Sequence, residues 1–211
     1  MKKLILTLLM ITLFYGIKAQ TIKHHHYTTY YNVKLKEPDS VAWNLTPQMV
    51  SCDKQDRDNP FKSDPQIPNS ASPDDYNVNK GNPDRPNWID KGHLFSYMDA
   101  QCDEIDKIEC FYMSNMLPQK HTFNAGKWQE LEKQERIWAK TQTLHIIAGG
   151  IGTLGTLPAG ENIPKYMYKA VYINGKYRAW IMPNSSEANK FDLNHWEISL
   201  IDLNKQTGLK L

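Results

Sequence analysis

Three stretches decide how this chain reads: Asp90-Lys91-Gly92-His93, then Ser114-Asn115-Met116-Leu117-Pro118-Gln119, then Phe123-Asn124-Ala125-Gly126-Lys127-Trp128-Gln129-Glu130-Leu131-Glu132. Trp88-Ile89-Asp90 and Cys110-Phe111-Tyr112-Met113 read as two short strands, rich in aromatic and branched side chains. Tyr97 to Lys107 between them reads as a connecting loop or a short helix. From Asn124 to about Lys140 the pattern turns helical, because Trp128, Leu131 and Trp138 recur at helical spacing. Asn124 stands where a helix cap belongs, and Glu132 with Arg136 forms an i,i+4 ion pair. Strand, loop, strand and helix across residues 88 to 140 are therefore expected as one unit.

The polar residues of that unit suit phosphodiester hydrolysis. Such a reaction needs a base for water, a cation for the phosphate oxygens and help for the leaving oxygen. His93 is a base of the right kind, since a free imidazole titrates near pH ~6.5. Gly92 before it would let the backbone turn or a phosphate approach. On a regular helix, Asn124 and Glu132 lie roughly 80° and about 12 Å apart. They share a side, but both can serve one ion only if Glu132 acts through water. That arrangement fits Mg²⁺, which takes oxygen ligands and keeps several waters. Asn115 could orient a water or a neighbouring group. Each residue alone has an ordinary reading: a structural histidine, a capping asparagine, a surface ion pair. Glu135 is odder, because it lies seven residues after Trp128 on the apolar stripe; a partner such as an arginine or a hydrated ion would explain it, and so would simple exposure at the edge of the stripe.

The rest of the chain bounds these readings. Lys2 and Lys3, the apolar run Leu4 to Tyr15 and the small residue Ala19 form a signal-peptide pattern over residues 1 to 19, too short for a comfortable membrane span. Of 211 residues, removal of 19 leaves 192, residues 20 to 211, enough for one domain with a real core. Removing Lys2, Lys3 and Lys18 takes the formal charge from +2 to −1, so any basic surface must be local. No other long apolar run exists, and the expected location is secreted or periplasmic. Cys52, Cys102 and Cys110 imply one disulfide and one free thiol in an exported protein, with the pairing open. His24-His25-His26 admits a metal-binding or tag reading, but a solvated segment is the favoured one, since adjacent residues point different ways and chelate one ion poorly in a strand or helix.

Val33 to Leu45 holds strand-like pieces, best at Val41 to Leu45, while Asp53 to Asn87 carries six of the twelve prolines and reads as an irregular excursion. Leu144 to Ala148 is a buried-type strand. Tyr166 to Ile173 and Lys176 to Met182 flank Asn174-Gly175, a hairpin signal. Glu197 to Gln206 reads as a helix stopped by Gly208. Gly149 to Gly155 is glycine-rich without the Gly-Lys-Ser/Thr ending of a phosphate loop. The expected class is α+β, a mainly antiparallel sheet flanked by helices.

The run from Asp90 to Arg136 closely resembles the DNA/RNA non-specific endonuclease family, secreted sugar-non-specific nucleases of the ββα-metal (His-Me finger) class. The likeness rests on Asp90-Lys91-Gly92-His93, Asn115 with Pro118-Gln119, Asn124-Ala125-Gly126-Lys127-Trp128, Glu132, Glu135 and Arg136. Weaker likeness extends to Arg57 through Pro65, Ile163 through Lys169 and Thr207 through Leu209, covering roughly residues 40 to 211. The resemblance implies a ββα-metal motif and a metal-dependent endonuclease acting on DNA and RNA through the phosphate backbone, leaving 5′-phosphate ends. His93 would be the general base and Asn124 the direct ligand of Mg²⁺ or Mn²⁺, with Glu132 acting through water. Asn115 would support the site, Arg57 would stabilise transition-state charge, and Lys91 and Arg136 would contact or position substrate. Lys91 stands where the family usually has arginine, keeping charge but losing the bidentate fork. A homodimer is compatible with the resemblance. The rival readings are a catalytically silent nucleic-acid-binding protein of the same fold and a phosphodiesterase with another substrate.

Overall fold

The computed structural model describes residues 20–53, 61–78 and 88–211; the signal-peptide reading and Arg57 lie outside them. Its centre is a seven-stranded sheet in the order β1-β2-β3-β6-β9-β10-β11. The strands are β1 (Gln20–Lys23), β2 (Tyr27–Asn32), β3 (Glu37–Leu45), β6 (Leu144–Ile151), β9 (Tyr166–Ile173), β10 (Lys176–Pro183) and β11 (Glu197–Ile198). Two ribbons stand apart: β4 (Ile89–His93) with β5 (Met116–Lys120), and β7 (Gly155–Thr156) with β8 (Asn162–Ile163). Every strand pair is antiparallel, as the sequence led us to expect. Asn174 and Gly175 take positive φ, 51° and 78°, which is what a two-residue hairpin with a right-handed twist requires.

Alternation along β9 sorts the two faces. Met167, Val171 and Ile173 enter the main core with Val41, Trp43, Trp128, Leu131 and Trp180. Tyr168 and Ala170 face the other way, into a second cluster with Ile147, Ala179 and Leu203. Leu203 belongs to α4 (Leu200–Thr207), so that helix covers one face of the sheet. The first face is covered by the β4–β5 ribbon and a helical rod, with Cys110 and Phe111, which follow α1 (Glu104–Glu109), packed beside them. The rod comprises α2 (His121–Phe123), a π-helical segment Asn124–Trp128 and α3 (Gln129–Ala139).

Two expected elements move. Cys110 to Met113 is no strand, because Cys110 ends α1 and Met113–Asn115 forms a 3-10 turn; the partner of β4 is β5, which tolerates Pro118 because the ribbon has only two strands. The last helix begins later than expected, after the Ser199 cap, and Glu197–Ile198 pairs with β10 instead. Gly208 does end it, at φ 74°. The open cysteine pairing closes as Cys52–Cys102, 50 residues apart, and Cys110 is the buried cysteine outside that bridge. Closing a loop of that size stabilises the fold by about 4 kcal/mol on chain entropy.

Glu37, at the start of β3, is buried and accepts a hydrogen bond from Asn162 Nδ2 at 3.1 Å. Burial pushes its carboxyl up to about 8, against the Asn162 hydrogen bond and with the help of Asp39 and Glu161. A carboxyl raised in this way contributes stability that is complete below its ordinary value of 4.5 and lost as pH climbs towards about 8. Glu37→Gln, which stays neutral, should therefore match the wild type in melting temperature under acid conditions and exceed it increasingly up to about pH 8. Parallel melting curves across that window would show the reading to be wrong.

Candidate active site

Pairing of β4 with β5 sets Lys91 opposite Pro118 and His93 opposite Met116. Residues two apart on a strand share a face, and Lys91 and His93 both line a cleft of about 890 Å³. Gly92 faces the other way. A Cβ there would lie 2.2 Å from Gln119 Cδ, and the Gln119 side chain is fully buried. Gly92 is thus required by packing, not by a turn or an approaching phosphate. The His93 ring stands against Phe61 and Phe111, with centroids 5.5 and 5.3 Å away. Trp128 Nε1 donates to the His93 carbonyl at 3.1 Å and ties the strand end to the helical rod.

Asn115 was expected among the catalytic groups; the structure gives it another task. It is fully buried and does not line the cleft. Its Nδ2 donates to the carbonyls of Phe95 and Cys110, each at 2.8 Å, and its Oδ1 accepts from Phe95 N at 2.8 Å. Both amide protons are consumed. Asn115 clamps the backbone just beyond His93 and acts as a positioning residue.

Asn124 is not a helix cap, for its φ and ψ are helical, −58° and −51°. Its Nδ2 donates to Asp90 Oδ2 at 2.8 Å, which leaves the amide oxygen for a cation. The same Asp90 oxygen meets His121 Nδ1 at 2.9 Å. The rod then kinks at Gly126, at φ −106° and ψ −108°. The Asn189 amide occupies the kink, accepting from Lys127 N at 2.8 Å and donating to the Thr122 carbonyl at 2.7 Å. A Cβ on Gly126 would sit 2.5 Å from Asn189 Oδ1. A π-bulge adds one residue to the turn. Asn124 and Glu132, eight residues apart, then behave as roughly seven, about two full turns, and face the same way. Asn124, Gln129 and Glu132 accordingly line the same cleft.

Behind Glu132 lies a network of charges. Its Oε2 is 3.5 Å from Ser96 Oγ. Glu135 Oε2 pairs with Lys169 Nζ at 3.1 Å, both fully buried, and the ammonium lies 4.2 Å from the Trp128 ring centre. Arg136 reaches buried Asp99 at 3.1 Å rather than forming the expected pair with Glu132. Burial raises all three carboxyls: Asp99 against Arg136, Glu132 against Lys169, and Glu135 to about 7 against Lys169. Asp99 and Glu135 each have a cation partner, in Arg136 and Lys169, whereas Glu132 has none bonded to it among the described residues. Burial also holds the Lys91 ammonium below the usual lysine value, with Asp74 and Asp90 opposing. Its Nζ donates to Asn77 Oδ1 at 3.2 Å.

The cleft therefore gathers Lys91, His93, Asn124 and Glu132. Asn115 and Arg136 stand behind it. Asp90, His121, Ser96 and Phe61 also line or brace the cleft and were not assigned to it from sequence. Asp90 could have been found, since it belongs to the tetrapeptide that carries His93. Asn184 and Asn189 could not, being remote in sequence. Asn184 is buried, accepts from Lys120 N at 2.8 Å and donates to the carbonyls of Pro118 and Pro164 at 3.0 and 2.9 Å. It fastens the β4–β5 ribbon to the main body.

Over residues 10–211 the chain matches the family described as DNA/RNA non-specific endonuclease. It is 24% identical over 215 residues to the mitochondrial nuclease EXOG of Mus musculus, covering 90% of this chain and 56% of that protein. It is 26% identical to nuclease C1 of Cunninghamella echinulata var. echinulata, covering 92% of this chain and 83% of that one. To the nuclease of Serratia marcescens it is 25% identical, over 92% and 75%. The chain spans 46 to 62% of the length of the mitochondrial EXOG relatives from mouse, zebrafish and Xenopus laevis. A solved structure of the EndoG/EndoGI complex shares the fold, with a TM-score of 0.76 and 22% identity over 90% of this chain and 84% of that one.

Asn184→Ala removes three hydrogen bonds from a buried place and should cost about 2–4 kcal/mol, since each stranded backbone group carries its own desolvation penalty. Asn189→Ala, at an exposed position, should cost about 1 kcal/mol. Urea unfolding at constant slope checks both, and equal effects would count against the clamp assigned to Asn184.

Proposed function

The chain belongs to the DNA/RNA non-specific endonuclease family, and from that premise we propose that it is an exported, metal-dependent endonuclease. It cuts phosphodiester bonds of DNA and RNA with little sequence preference and leaves 5′-phosphate ends. The observation that carries this reading is the convergence of His93, Lys91, Asn124 and Glu132 on one cleft. Export is supported by the Cys52–Cys102 disulfide. No helix among the described residues is long and apolar enough to cross a membrane.

The donor set fits a hard divalent cation such as Mg²⁺ or Mn²⁺. Asn124 offers an amide oxygen and Glu132 a half-buried carboxylate able to reach through water, while the acids behind them, Asp99 and Glu135, already have Arg136 and Lys169 as partners. Such an ion, when bound, neutralises charge on the phosphate oxygens. His93 accepts the proton of the attacking water, whose oxygen bonds to phosphorus while the 3′ oxygen departs and takes a proton from solvent. Phe61 and Phe111 hold the imidazole plane, and Trp128 and Asn115 hold its backbone. Lys91, fixed by Asn77, meets phosphate as a point charge. Arg57 is assigned to transition-state charge by family resemblance, and Arg136 acts indirectly by neutralising Asp99. These groups address phosphate and not base edges, so little sequence preference follows, and binding weakens with salt.

Supercoiled plasmid and a structured RNA should both be cut by the purified protein in Mg²⁺ and spared in excess chelator; undiminished cutting in chelator would remove the metal from the mechanism. His93→Ala should cut at least about 10²-fold more slowly, the scale of a lost general base. Near-normal turnover in that variant would move the base elsewhere.

A further inference from the structure

Away from the cleft, the turn joining β1 to β2 carries His24, His25 and His26. The sequence suggested rings pointing apart into solvent. Instead the backbone bends at His25 and His26, and their rings stand edge to face with centroids 4.2 Å apart. Both reach the first turns of α1. His25 Nδ1 lies 3.2 Å from Asp106 Oδ1 and 3.3 Å from Asp103 Oδ1, and His26 Nδ1 lies 2.5 Å from Asp106 Oδ2. His24 turns inward to Asp64, 3.1 Å away, both side chains buried. Asp64, Asp103, Asp106 and Glu109 thus face the triplet, and among the described residues no lysine or arginine pairs with any of them.

We propose that His25, His26 and Asp106, with Asp103 at the rim, form a second metal site, for one zinc-class divalent cation. One donor atom from each of the first three lies within 4.8 Å of the others. Ligands about 2.0–2.2 Å from a tetrahedral zinc ion are about 3.3–3.6 Å from one another, close to the 3.2 Å between His25 Nδ1 and Asp106 Oδ1; Asp103 Oδ1, 3.3 Å from the same nitrogen, also caps α1 through Ile105 N and Asp106 N. The shorter His26–Asp106 contact is a hydrogen bond that a bound ion would open to metal-ligand spacing. Two imidazole nitrogens and one or two carboxylates suit zinc, whereas Mg²⁺ and Ca²⁺ prefer oxygen throughout. Asp106 is buried at its base, and both histidines are about two-fifths exposed, which leaves the ion a path in. The site clips the β1–β2 turn onto α1, next to the Cys52–Cys102 bridge. Its role is structural, since none of its ligands lines the cleft.

The test uses the disulfide-intact protein, stripped of metal and dialysed against zinc, with bound metal counted and melting followed. Wild type should bind one zinc ion more than the double variant His25→Gln/His26→Gln, and zinc should raise only the wild-type melting temperature through this site. Asn124→Ala should keep that ion, which separates it from the cleft. The double variant should cut plasmid in Mg²⁺ at the wild-type rate. Asp103→Asn, which still caps α1, should weaken zinc about 10-fold and serves if the double variant fails to fold. Equal zinc stoichiometry and affinity in wild type, the double variant and Asp103→Asn would overturn the site, as would no uptake by wild type at about 100-fold the concentration typical of zinc-protein affinities.

Discussion

The ion pair between Glu135 and Lys169 sits where an all-apolar core would be expected, between α3 and the interior strand β9. The ammonium rests against the Trp128 ring, with Trp43 on another side. Desolvating two charges costs nearly what their attraction returns, so the pair adds little net stability. Removing one partner, however, strands the other charge and costs about 3–5 kcal/mol. The pair therefore selects one rotation of α3 over the sheet. A helix turned by one residue, roughly 100°, would leave Lys169 without its partner. Trp128 then hydrogen-bonds the His93 carbonyl, so the rotation of the helix is transmitted to the strand that carries the imidazole.

From that anchor the cleft is assembled by amides. Asn115 holds the chain after His93, Asn184 binds the ribbon to the body, and Asn189 fills the kink between Asn124 and Glu132. Each satisfies backbone groups that neither a sheet nor a regular helix would pair. The kink has a chemical effect: it turns an amide oxygen and a carboxylate to one side of the rod. Behind them the acids Asp99 and Glu135 are matched by Arg136 and Lys169, so Glu132 is the carboxylate left facing the cleft without a cation of its own among the described residues. Asn124 and Glu132 thereby share one cleft with Lys91 and His93.

Where sequence reading failed, local pattern was overruled by contacts distant in the chain. Arg136 stood four residues from Glu132 yet bonds Asp99, because a buried carboxylate demands a cation more strongly than a half-exposed one. Asn124 had the type of a cap, but the helix starts three residues before it. Adjacent histidines were expected to diverge as on a strand, and the bend at residues 25 and 26 removes the alternation on which that expectation rested.

The sequence by itself determined the antiparallel sheet, the Asn174-Gly175 hairpin, the order of strand, strand and helix around His93, and the family. These follow from period-two and helical patterning, turn chemistry and a motif whose members are near in the chain. Tertiary structure alone decided the pairing of Cys52 with Cys102, the partner of Glu135, the face shared by Asn124 and Glu132, and the meeting of His25 and His26 over Asp106. The physical reason is the same in each case. A periodic pattern states which way a side chain leaves its own element, whereas a charge, a thiol or an amide takes its partner from whatever element packs against it.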